Sequence, residues 1–171
     1  HFYPYQKDVN TDWAAQLPAS LTAAYGTTTT KEYTRLLGRL TEKLQDGHVY
    51  VSAPLAPGYY GTPIIPKFVE GKIVISQIDS AFRALNPGML KAGDVVTAID
   101  GQPALQLMEQ AKNEVSGSAQ WKVVRALSTI FNGTNKSEVL LTIKRGNDAE
   151  KDVKLTRGIY RNPADLVTIK K

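Results

Sequence analysis

The apolar positions of the first 46 residues recur at helical spacing. Trp13, Leu17, Leu21 and Ala24 stand four, four and three residues apart, which makes one stripe on a helix. Pro18 interrupts it, so the pattern predicts a kink or two short helices, the second starting at Pro18. Thr27 to Thr30 form a polar link, and Thr29 and Glu32 have capping-box spacing. Tyr33, Leu36, Leu37, Leu40 and Leu44 then mark one face of a further helix, with Gly47 placed as its stop and a short strand expected over Val49 to Val51.

From residue 63 the pattern reads mainly as strands. Ile64 to Val69 and Lys72 to Ile78 flank Glu70-Gly71, a hairpin signal. A short helix is expected near Ala81 to Leu85. Val95, Val96 and Ile99 make a strand that Asp100-Gly101 turns, as Asp-Gly does where positive φ is needed. Leu105, Met108, Ala111 and Val115 suit a helix after Pro103, which can seat a first turn. Ser116-Gly117-Ser118 breaks it, and Trp121, Val124, Leu127 and Phe131 suggest another. Strands over about 138–144 and 151–155 close the chain around Arg145-Gly146-Asn147-Asp148. No internal repeat is visible.

Residues 53–62 hold two Pro and two Gly, the composition of a linker. The expected organisation is a helical domain over 1–52, a linker over 53–62, a strand-rich domain over 63–157 and a tail over 158–171. A length of 171 residues suits one large or two small domains. The start at His1, with no leader, is expected of a piece of something longer; His1 itself carries no assigned role.

Composition narrows the partners. The chain has no Cys, so neither disulfides nor thiolate metal sites arise. No apolar run approaches the roughly 18 residues of a membrane span. The net charge is +5, and Lys151, Lys154, Arg157, Arg161, Lys170 and Lys171 crowd the C-terminal end. That cluster reads as a solvated strand and tail rather than a patch for an acidic partner. No aromatic residues interleave with it as nucleic-acid binding would ask. No His/Asp/Glu cluster has metal-ligand spacing, and no cofactor is expected. Nor is there a Gly-x-Ser-x-Gly elbow. Asp94 and Asp100 are read as turn residues.

Residues 90–101, Leu-Lys-Ala-Gly-Asp-Val-Val-Thr-Ala-Ile-Asp-Gly, resemble the signature of PDZ domains, small peptide-binding modules. The opening His1-Phe2-Tyr3-Pro4-Tyr5 and the run Leu44-Gln45-Asp46-Gly47-His48 extend the resemblance to C-terminal-processing and tricorn-like serine peptidases. It implies an α+β fold: a small N-terminal helical domain, then a PDZ-like, partly open β-barrel with an extra helix. It also implies a catalytic core beyond Lys171, a periplasmic, cell-envelope or secreted location, and unfolded or C-terminal polypeptide segments as partners.

In the tricorn-like branch the His of that last run is the general base for the serine, and His48 is its counterpart here. In the C-terminal-processing branch a Ser-Lys pair acts instead. A serine hydroxyl needs such a base within hydrogen-bond reach. Asp46 is two residues from His48, and i,i+2 side chains on a helix diverge, so no orienting partner is assigned.

The resemblance puts a peptide groove at Tyr60, Gly61, Thr62 and Ile64, faced by Leu105 and Met108, with Tyr59 also in its loop. An added strand would pair there and a backbone nest would take its carboxylate. Pro63 and Pro66 lack N–H groups and are an odd number of residues apart, so one faces each edge of the strand. The chain is thus expected to be the non-catalytic N-terminal part of a secreted serine peptidase. The alternatives are a stand-alone PDZ-type binding or scaffolding protein, and a relative that kept the fold and lost catalysis.

Overall fold

The computed structural model describes residues 7–51 and 60–158. The aromatic start, most of the 53–62 linker with Tyr59, and the tail after Gly158 lie outside the described residues. Among those described, 7–51 pack with 109–126 in one compact unit, and 60–108 with 127–158 in the other. The units are discontinuous in sequence, because 109–126 leave the strand-rich region to join the helices.

The first unit begins with α1 (Trp13–Tyr25) and α2 (Thr30–Glu42). Helix α1 runs unbroken through Pro18. The partner that Pro18 deprives is the carbonyl of Ala14, an exposed residue, so water can satisfy it. Helix α2 starts on a complete capping box: Glu32 N–H donates to Thr29 Oγ1 at 3.2 Å, and Glu32 Oε2 accepts from Thr29 N–H at 3.1 Å. Thr29→Ala should therefore cost about 1 kcal/mol of helical-unit stability, read as an earlier loss of far-UV ellipticity in a melt. Gly38 is buried, and a Cβ there would lie 3.0 Å from the Glu114 carbonyl oxygen, so glycine allows the close approach. Arg35 Nε donates to Glu114 at 2.7 Å, and Lys122 pairs with Glu42.

Two expectations fail just after α2. The helix ends at Glu42 rather than reaching Gly47, and 49–51 form no strand. Three tight turns close the helix, from the N–H groups of Lys43, Leu44 and Gln45 to Leu40, Thr41 and Glu42. Gln45 then takes φ +53, so the left-handed exit falls two residues before the glycine.

The second unit is one open antiparallel sheet rather than a closed barrel. Its strands are β1 (Ile64–Val69), β2 (Lys72–Ile78), β3 (Val95–Ile99), β4 (Gln102–Pro103), β5 (Glu138–Lys144) and β6 (Lys151–Thr156). The order is β1-β2-β3-β5-β6, with β4 paired to β3. Glu70-Gly71 and Asp100-Gly101 both take positive φ (+48/+75 and +49/+77), as two-residue hairpins require. Helix α3 (Ser80–Leu85) follows β2; α4 (Ala104–Lys112) and α5 (Ala119–Phe131) follow β4. Period-2 burial puts Ile73 and Ile75, Val139, Leu141 and Ile143, and Val153 and Leu155 in the core. Val96 and Ile99 join them across the register shift between Val96 and Ala98 in β3.

The basic end is already partnered where it is described. Arg157 donates to the carbonyls of Phe131 and Glu138 and to Ser137 Oγ. Lys151 reaches the Met89 carbonyl, and Lys154 pairs with Glu138.

Candidate functional site

Two features carry chemistry, one in each unit. In the sheet unit, β1 is an edge strand. Its pairing with β2 shifts register between Ile65 and Pro66, where Ser76 is the extra residue on β2. The Ile65 carbonyl accepts from Ser76 Oγ at 2.8 Å, and the Pro63 carbonyl from Asp79 N–H at 2.8 Å. Residues 63 and 65 therefore turn their backbone groups towards β2. By alternation Ile64, Pro66 and Phe68 turn theirs to the open edge. The proline parity read from sequence holds: Pro63 faces inwards and Pro66 removes one donor from the free edge.

The other groove residues divide by burial. Tyr60 exchanges both backbone hydrogen bonds with Gly133, each 3.0 Å, and the Gly61 carbonyl accepts from Gly158 N–H at 2.9 Å. Thr62 is buried, and its hydroxyl has no hydrogen-bond partner. Ile64 and Met108 sit in the core, Met108 only 1% exposed, while Leu105 is 43% exposed. Surface for a ligand here comes from Leu105, the half-exposed Tyr60 and Gly61, and the β1 backbone edge.

In the helical unit, Asp46-Gly47-His48 forms a turn rather than a helix end. Asp46 Oδ1 accepts His48 N–H at 2.9 Å and lies 3.0 Å from His48 Nδ1. The absence of an orienting partner for His48 is thus corrected: off the helix, an Asp side chain reaches the backbone two residues on, and the ring follows. Those contacts, the backbone one first, lower the Asp46 pKa below the ordinary carboxylate value, so it stays ionised. The His48 side chain is 99% exposed. Asp46 N–H in turn donates to the hydroxyl of buried Ser116 at 2.9 Å.

The sequence set Asp46 aside as a partner for His48 and gave no sign of Ser116 here. Only Asp46 had a local signal, the known reach of Asp to position i+2. Among the described residues no group of His, Asp and Glu could hold a metal ion, and no helix is long and apolar enough to cross a membrane.

No protein-family model matches the sequence, and no curated protein matches it. Solved structures do. CPAF complexed with lactacystin superposes with a TM-score of 0.68 over 92% of this chain, at 15% identity. The fold is PDZ-like, with helices preceding the sheet in the chain. This chain spans 31% of that CPAF chain. The matches also include the photosystem II D1 C-terminal processing protease (TM-score 0.43, 18% identity, 90% of this chain and 39% of that one). A third is the PDZ domain of the carboxy-terminal protease from Vibrio cholerae, in complex with peptide (TM-score 0.40, 16% identity, 58% of this chain and 94% of that one). The fold implied by the resemblance to C-terminal-processing and tricorn-like peptidases, helices followed by a PDZ-like sheet, is met.

Proposed function

We propose that this chain is the non-catalytic N-terminal part of a secreted serine peptidase, whose PDZ-like domain binds or gates the polypeptide substrate. The observation that carries the reading is the open edge of β1, where Ile64 and Phe68 offer backbone donors and acceptors to an added strand. Phe68 is also exposed beside that edge. A peptide laid there would pair at residues 64 and 68 and find only an acceptor at Pro66.

Pro66→Ala restores the missing N–H. It is expected to tighten a fluorescent peptide with a free C-terminus by up to about tenfold, since one hydrogen bond is worth a net ~0.5–1.5 kcal/mol. Anisotropy titrations of both forms give the answer. If neither binds at millimolar chain, or if Pro66→Ala binds less tightly than the parent sequence, peptide pairing on this edge is wrong.

The same reading makes His48 the candidate general base. Its side chain is exposed and a carboxylate lies at Nδ1, which would leave Nε2 for a serine supplied by the longer protein. Nε2 would take the serine proton as the oxygen attacks, and Asp46 would stabilise the imidazolium that results. The resemblance also suggests a site of action in the periplasm, cell envelope or medium, which fractionation of producing cells checks.

A further inference from the structure

The Ser116-Gly117-Ser118 break and the helix after it exceed what a minimal PDZ domain needs. In the folded chain the break and α5 as far as Ala126 belong to the helical unit, where they meet the Asp46-Gly47-His48 turn. Ser116 Oγ accepts the Asp46 N–H. Gly117 has φ +129, and a Cβ there would fall 2.5 Å from Trp121 Cδ1 and 3.1 Å from Gly47 Cα. A Cβ on Gly47 would fall 3.3 Å from Trp121 Cδ1 and Nε1. Gly117 is thus needed for its missing side chain, and a side chain at Gly47 would have to push the indole back by a few tenths of an ångström. Trp121 is fixed from its own side: its N–H donates to Ser118 Oγ at 3.3 Å, and the Arg125 guanidinium lies 5.8 Å from its ring centre.

We propose that Ser116, Gly117 and Trp121 are positioning residues that set the ring of His48 through Asp46. The chain of contacts runs in one direction. Ser116 fixes the Asp46 backbone, and Trp121 seats Gly47. Asp46 Oδ1 is thereby aimed at two nitrogens of one residue, the His48 N–H and Nδ1, and an acceptor there favours the tautomer with the proton on Nδ1. With Nδ1 carrying the proton, the Nε2 lone pair points to solvent, the state a general base needs. A turn serving the fold alone would need Asp46 to take only the backbone N–H; here the same oxygen also engages the ring of a fully exposed side chain. The inference deepens the reading of His48 as a base and rests on it for its purpose, though not for its test.

The test reads the tautomer directly. Long-range ¹H–¹⁵N correlation spectra of the ¹⁵N-labelled chain, recorded above the range where imidazole titrates, distinguish protonated from bare ring nitrogens. The Nδ1–H form is expected to dominate at His48. Asp46→Ala and Ser116→Ala should each turn it into the minor form, and Ser116→Thr, which keeps the hydroxyl, should restore it. An Nε2–H majority in the unsubstituted chain overturns the proposal. So does an unchanged ratio in a folded Ser116→Ala chain. Should Ser116→Ala lose its fold, Trp121→Phe, which shrinks the seat under Gly47, must lower the Nδ1–H share or the proposal fails. If the tautomers respond as expected while the longer peptidase tolerates His48→Ala, the positioning role stands and only the catalytic reading falls.

Discussion

Replacing Asp94 with Asn is expected to cost the sheet unit about 3 kcal/mol, measured by denaturant unfolding. Asp94 is 0% exposed in a turn before β3. Its carboxylate accepts from Arg145 Nε at 2.7 Å and Nη2 at 2.8 Å, a bidentate pair, and from Lys91 N–H at 2.8 Å. Removing the charge strands a guanidinium and weakens the turn. Arg145→Met should be worse. The Arg145 side chain is 28% exposed and can turn to water, whereas Asp94 would remain as a buried anion without its counter-ion. Combining the two changes should recover part of the loss of Arg145→Met alone, because no isolated buried charge remains. A double variant less stable than Arg145→Met would show that the pair is not what couples these positions.

The same pair sets an acid limit. Burial alone would raise the Asp94 pKa. The hydrogen bonds from Arg145 and Lys91, with the charges of Arg145 and Lys151, outweigh it and leave the pKa below the ordinary value. A carboxyl with a depressed folded pKa adds stability above its unfolded pKa, about 3.9, and loses it as the pH falls through the folded value. Stability should therefore decline below about pH 4 more steeply in the unsubstituted chain than in Asp94→Asn.

The turns at Glu70-Gly71 and Asp100-Gly101 and every strand but β4 are legible because their information is local. Pro103, expected in the first turn of a helix, instead lies in β4, and α4 starts at Ala104. Alternating apolar residues, and Glu70-Gly71 and Asp100-Gly101 where positive φ is required, fix strand and turn together. What escaped was long-range. Asp94 read as a turn residue because its counter-ion lies 51 positions on, and no pattern near it names Arg145. Ser116 read as part of a helix-breaking loop because the N–H it accepts is 70 residues upstream. The parity of Pro63 and Pro66 was available, being a property of one strand. The exit of α2 departs from the pattern for a different reason: Gly47 fits the place of a helix stop, whereas in the fold it packs against Trp121. A glycine required for close approach and one required for left-handed backbone look alike in sequence.

His48→Ala should leave the melting temperature of this chain unchanged, since the side chain is 99% exposed and touches only the exposed side of its own turn. In the longer peptidase proposed here, the same change should lower kcat by several orders of magnitude, because a nucleophile and its base act as one unit. Opposite results would follow if the His served only to finish the turn: a less stable chain and a working enzyme. A Ser-Lys parent predicts a third pattern, with neither stability nor kcat altered, since the lysine would take the proton. Asp46→Asn separates orientation from charge in that enzyme. Its amide oxygen can still accept from the ring, but it stabilises the imidazolium less, so kcat should fall without a matching rise in KM. A rise in KM at constant kcat would instead assign the Asp46-Gly47-His48 turn to substrate binding and remove His48 from the proton-transfer step.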